Sequence, residues 1–258
     1  MSEIKNLVLE RHLDFWSDIY DIEKKEIKLL NDYIVYVDKN LRDYFSFNTN
    51  YKNVAIFFMN KHLDYLKEAY TSLLLKNYNA FACVMRIMIE NYVSLYMIKK
   101  YKDKNIVQNW YLWSIQKMLK KVESDDIYRK IKENYDLICV NLNANDIRFN
   151  MQAYGLLQNV VKLKNYSFKT ISSLIDIEIY HDYSDLSGYI HNTDMYYKTN
   201  WIDMTLLSHF IFLTFSFTDK MIRIYNPYII RKKDYRSLVK NLMSSLNSCI
   251  KYREDKII

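Results

Sequence analysis

Residues 80–101 read AFACVMRIMIENYVSLYMIKKY. Apolar side chains cover nearly every face of this stretch, and it contains neither Gly nor Pro. A helix that is apolar all round belongs at the centre of its domain, with other helices packed around it. Yet Arg86, Glu90 and Ser94 recur at i, i+4 and i+8, with Asn91 beside them, so one polar line runs along the helix. Arginine and glutamate are almost never fully buried unless paired. Either Arg86 and Glu90 pair with each other and fix the packing, or the line faces a wet cleft. In such a cleft a guanidinium suits a phosphate, because its donors are planar and always charged.

The rest of the chain supports a helical surround. The 258 residues include only two Gly and one Pro, whereas sheet proteins need both at their many tight turns. Apolar residues at three-and-four spacing predict helices over 2–45, 54–75, 80–100, 107–122, 124–138, 201–225 and 231–250, with two short ones within 168–194. Ser124 is a good N-cap, KNYNAF (76–81) marks a tight helix–helix connection, and VNLNANDIRF (140–149) reads as a polar loop. The expected fold is all-α: a single helical-bundle domain of about eight helices. It is organised as an N-terminal helical segment (1–50), a helical core (51–225) and a C-terminal helix with its tail (226–258).

Net charge is +7 and the pI is about 9.0, which permits a nucleic-acid partner without requiring one. The lysines fall in short clusters such as KKEIK (24–28) and MIKKYKDK (97–104), each beside acidic or apolar residues, and singly these read as solvated helix faces. Three widely spaced cysteines, Cys83, Cys139 and Cys249, with no CxxC and no secretory signal at MSEIKNLVLERH, suit a reduced cytoplasm. The most apolar run, MTLLSHFIFLTFSF, spans 204–217; it is shorter than the ~20 residues a membrane span needs and reads as a core helix. The 25 tyrosines suit half-buried faces and interfaces, and the aromatic-rich ends of the chain suggest a homodimer.

A second polar line lies in YHDYSDLSGYIHNTDMYY (180–197). Tyr183, Ser187 and His191 repeat the i, i+4, i+8 spacing, and Gly188, on a neighbouring face, lets a backbone or ligand come close. Asn192, Thr193 and Asp194 favour leaving the helix, which puts His191 at a helix C-terminus, near solvent. No His or Cys pair has the tight spacing of metal ligands, and there is no glycine-rich phosphate loop and no nucleophile elbow. No metal and no cofactor are therefore expected.

The pairing of RIMIE (86–90) with YSDLSGYIH (183–191) resembles a group of bacterial all-helical proteins carrying R-x3-E and Y-x2-L-S-x3-H, which in turn resemble distant members of the HEPN superfamily. The resemblance spans roughly residues 55–220. It implies a helical bundle that often dimerises, and frequently a metal-independent endoribonuclease of toxin–antitoxin or phage-defence systems. The usual HEPN signature puts a histidine four to six residues after an arginine on one helix. This chain has no R-x4-6-H, and Arg86 with His191 is the nearest substitute.

The resulting expectation is a host-defence or toxin-type protein that cleaves RNA. Arg86, Glu90 and His191 would form the catalytic set, with His191 as the base at a pKa near working pH. Tyr183, Ser187 and Asn192 would bind substrate by hydrogen bonds, and Tyr189 would stack on a base. The competing expectation is a non-catalytic helical interaction or adaptor subunit of a bacterial defence or toxin–antitoxin system, built on the same residues. Either form would work with RNA or a partner protein such as an antitoxin, and away from membranes.

Overall fold

The computed structural model describes residues 21–42, 51–101, 104–141, 157, 161–190 and 200–257. Among them are nine α-helices, one 3-10 turn and no strand, so the all-α expectation holds. The helices are α1 (Asp21–Leu41), α2 (Tyr51–Leu74), α3 (Tyr78–Tyr101), α4 (Lys104–Leu119), α5 (Asp125–Asn141), α6 (Phe168–Ser173), α7 (Ile177–Ile190), α8 (Asn200–Tyr225) and α9 (Lys233–Ile257). Backbone contacts divide the chain into two compact units. The first is Met1–Tyr44, Phe58–Tyr92 and Tyr183–Ile258; the second is Phe45–Phe57 and Val93–Asp182.

The first unit is built as the periodicity dictates. In α1, Ile27, Leu30, Ile34, Val37 and Leu41 follow each other at three-and-four spacing and are all buried. This face of α1 meets α8 and α9. On α3, Phe81, Ala82, Met85, Met88 and Ile89 are fully buried. The Phe81 ring lies 4.4 Å from that of Phe210 on α8, and Tyr92 meets Phe217 edge-on at 5.8 Å. Among the described residues α3 alone is long and apolar enough to cross a membrane. More than half of that stretch is buried inside the protein, so its apolar character is accounted for by the core it fills. The apolar run on α8 is likewise internal: Phe210, Ile211, Leu213, Phe215 and Phe217 are buried, while Phe212 is 41% exposed.

The α2–α3 corner shows how a glycine-poor chain ends a helix. The amide of Asn77 donates to Ser72 O at 2.9 Å and that of Lys76 to Leu73 O at 3.0 Å, the paired bonds of a Schellman motif. Lys76 takes the left-handed position, φ 49°, where glycine is usual. The Asn77 side chain then accepts from Ala80 N at 3.1 Å and caps α3. Outside this corner, Asp38 accepts from both Arg42 and Lys67, and Arg42 also reaches Asp64, an ion-pair network between α1 and α2 at the surface.

In the second unit α4 and α5 pair through Leu112, Tyr135 and Cys139, flanked by Trp113, Ile115, Leu119 and Ile138. Gln116 donates to the Tyr135 hydroxyl. Burial pushes that phenol up to about 12. Ser124 immediately precedes α5, and its carbonyl accepts from Tyr128 N at 2.8 Å, as an N-cap residue should.

Candidate functional site

Helix α3 carries Arg86 and Glu90 one turn apart, and α7 brings Tyr183 to them within the first unit. Arg86 Nη2 donates to the Tyr183 hydroxyl at 2.6 Å, and that hydroxyl donates to Glu90 Oε1 at 2.7 Å. The Arg86 guanidinium carbon also lies 4.3 Å from the centre of the Tyr183 ring. The phenol thus meets the arginine twice, as a cation–π surface and as a hydrogen-bond acceptor. Tyr183 therefore stands between Arg86 and Glu90 and joins them.

Burial decides what this chain of bonds can do. Arg86 is partly buried and Glu90 is exposed. Arg86 Nε is shielded from solvent and has no partner among the described residues, and the same holds for Asn91 Nδ2. Burial, then the bond to Glu90, raises the Tyr183 phenol above its ordinary value, against the opposing pull of Arg86. It therefore stays neutral at physiological pH, as it must to accept from one neighbour and donate to the other.

The remaining expected site residues stand as follows. Ser187 lies one turn after Tyr183 on α7, and its hydroxyl donates to Tyr183 O at 2.9 Å, so its proton is already used within the helix. Tyr189 lies on α7, but its side chain is outside the described residues, as are His191 and Asn192. No group of His, Cys, Asp and Glu suited to a metal occurs among the described residues.

Two polar networks in the first unit carry no signal in the sequence pattern. His62 is fully buried on α2, and Nε2 lies 3.1 Å from Thr218 Oγ1. The Thr218 hydroxyl donates its own proton to Thr214 O at 2.7 Å, so Nε2 carries the imidazole proton and Thr218 accepts it. Burial drives this histidine down to about 3, so it is neutral. In the second network Tyr235, 2% exposed, donates to Asp219 Oδ1, whose other oxygen pairs with Arg223 Nε at 2.5 Å. The first network lies wholly inside, and the second runs from buried Tyr235 to exposed Arg223.

No protein-family model, curated protein or solved structure matches this chain.

Proposed function

We propose that this protein is an HEPN-like, RNA-directed defence or toxin protein, a metal-independent endoribonuclease centred on Arg86 and His191. The observation that carries the reading is the contact of Tyr183 with Arg86, which brings the second polar line to the first across 97 positions of sequence. Arg86 steadies the charge that develops on a phosphate, through donors that Tyr183 leaves unused. Glu90 and Tyr183 hold the guanidinium. His191, the residue after the end of α7, takes the proton of a ribose 2′-hydroxyl. The 2′ oxygen bonds to the adjacent phosphorus, the bond to the 5′ oxygen breaks, and that oxygen takes a proton from solvent. The product ends are a 2′,3′-cyclic phosphate and a 5′-hydroxyl.

The same proposal takes the protein as a cytoplasmic homodimer with a partner antitoxin or other defence protein. A dimer mass by light scattering at micromolar concentration is the expected result, and a monomer mass removes any shared cleft. The test of function is induction in bacteria of the wild type, Arg86→Ala and His191→Ala. Wild type should arrest growth and fragment RNA, with cyclic-phosphate ends that form in the presence of a chelator. Both variants should be silent.

One observation favours a second reading. Arg86 Nη2, the Tyr183 hydroxyl and Glu90 Oε1 form an unbroken chain of bonds, as a structural clasp would. In that reading the protein is a non-catalytic interaction subunit. Intact RNA on induction of the wild type, with a partner protein recovered in its place, would favour it.

A further inference from the structure

The second unit carries most of the excess charge: 15 Lys and Arg against 10 Asp and Glu, or +5 of the chain's +7. Several of its lysines sit against aromatic rings. At the corner formed by the end of α3, the short helix α6 and the start of α7, Lys100 Nζ lies 5.7 Å from the Tyr101 ring and 6.0 Å from that of Tyr96. The same ammonium reaches Leu174 O, the C-cap of α6, at 3.4 Å. On α6, Lys169 Nζ lies 5.2 Å from the Tyr180 ring, which meets His181 edge-on. Lys100, Lys169 and His181 are exposed, and the three tyrosines are half-buried. Of the nearby carboxylates, Asp176 is turned back on its own helix, where it accepts from Glu178 N at 3.1 Å. Glu178 lies in the first turn of α7, where the helix dipole favours it. The pairing recurs on the α4–α5 hairpin at Lys117, 4.0 Å from the Trp113 ring; Lys132, near the buried Tyr135 ring, is instead paired with Asp136.

We infer that this corner of the second unit, Lys100, Lys169, Tyr101 and Tyr180, is a binding surface for single-stranded nucleic acid. Ammonium groups fixed beside half-open rings supply the two things a single strand offers partners for: phosphates, and base faces that stack. Cations standing beside rings, rather than alone, favour a strand with bases over a purely anionic surface. The inference rests on the RNA-directed reading only for the class of ligand; it does not require cleavage.

The test is fluorescence anisotropy of the full chain with a labelled oligouridine and a labelled oligothymidine of about 16 nucleotides, over a salt series. Wild type binds, and affinity falls with salt. In Lys100→Gln/Lys169→Gln the slope of log affinity against log salt flattens by about 1.4, since each phosphate contact to a single strand contributes about 0.7. Tyr180→Leu weakens binding about tenfold with an unchanged slope, because stacking is lost and charge is not. The charge-matched control Lys25→Gln/Lys28→Gln, on exposed positions of α1, keeps the wild-type slope. Preference for oligouridine over oligothymidine assigns RNA, and equal binding assigns single strands of either sugar; both support the surface. The inference is overturned if wild type binds neither strand, if the control flattens as much as the double variant, or if only anionic lipid vesicles are bound. A chain that binds without cutting RNA keeps this surface and removes the ribonuclease reading.

Discussion

Arg86 and Tyr183 meet twice, through a 2.6 Å hydrogen bond from Nη2 to the hydroxyl and through the ring face 4.3 Å from the guanidinium carbon. The two contacts separate by mutation. Tyr183→Phe keeps the ring and removes the hydroxyl, leaving Nη2 and Glu90 without their shared partner. The expected cost is about 1.5–3 kcal/mol in urea unfolding, as for a hydrogen bond to charged groups. Tyr183→Leu loses the cation–π face as well and should cost more. Equal stability of the two variants would mean that the ring contributes nothing.

Glu90 tests how far this chain of bonds reaches into the core. A buried ion pair broken on one side would cost about 3–5 kcal/mol. Glu90 is exposed and accepts from the Tyr183 hydroxyl, which in turn accepts from Arg86. Glu90→Ala should therefore cost no more than about 1 kcal/mol, read as a small fall in thermal midpoint. A large fall would place the carboxylate in a dry environment.

Much of this was legible in the sequence, for reasons that also explain what was not. Helix class follows from the scarcity of Gly and Pro, and the shared faces of Arg86 with Glu90 and of Tyr183 with Ser187 follow from i, i+4 spacing, since that spacing alone puts side chains on one face. That Tyr183 stands between Arg86 and Glu90 was not legible, because it depends on how α7 lies against α3 rather than on either helix. Periodicity also assigns polar residues outward. It therefore misses Glu26, fully buried with Ser208 donating to it at 2.8 Å, and His62, fully buried against Thr218. A polar residue inside an apolar face is visible only once its partner helix is in place.

His62 should govern the acid limb of stability. Its folded pKa is about 3, against an ordinary value near 6.5. Above about pH 6.5 both states are neutral there, and the histidine costs nothing by titration. As pH falls below that, the unfolded chain takes a proton that the folded one refuses, and stability is lost until about pH 3. Between about pH 6.5 and 4.5 the loss reaches about 2–3 kcal/mol. Asp38, held low by Lys67 and Arg42 against the opposing effect of burial, adds its own loss only further down, as pH drops through the carboxylate range. His62→Leu removes the titration while Thr218 keeps its bond to Thr214 O. Urea unfolding near pH 7.5 and 4.5 should show the variant gaining on the wild type at the lower pH. Parallel losses would mean that His62 is protonated in the fold.

The tyrosines should govern the alkaline limb in the same way. Burial raises Tyr33 well above its ordinary value, and it raises Tyr235 too, with the hydrogen bond to Asp219 acting in the same direction. A phenol with a raised pKa is neutral in both states below about pH 10, so its stabilisation is fully present there. Above that the unfolded chain ionises first, and stability falls at about 1.4 kcal/mol per pH unit for each such group until the folded phenol titrates. Tyr235→Phe separates the two effects of this residue. Near neutral pH it should be less stable than wild type by about 1–2 kcal/mol, because the Asp219 carboxylate loses a buried donor and keeps only Arg223. As pH rises from about 10 to 11 the wild type should lose stability that the variant, one phenol short, retains. The gap should therefore narrow, and unfolding curves of the two proteins should approach each other. A constant gap across that range would show that Tyr235 ionises as readily in the fold as in the unfolded chain, and so that it is not buried against Asp219.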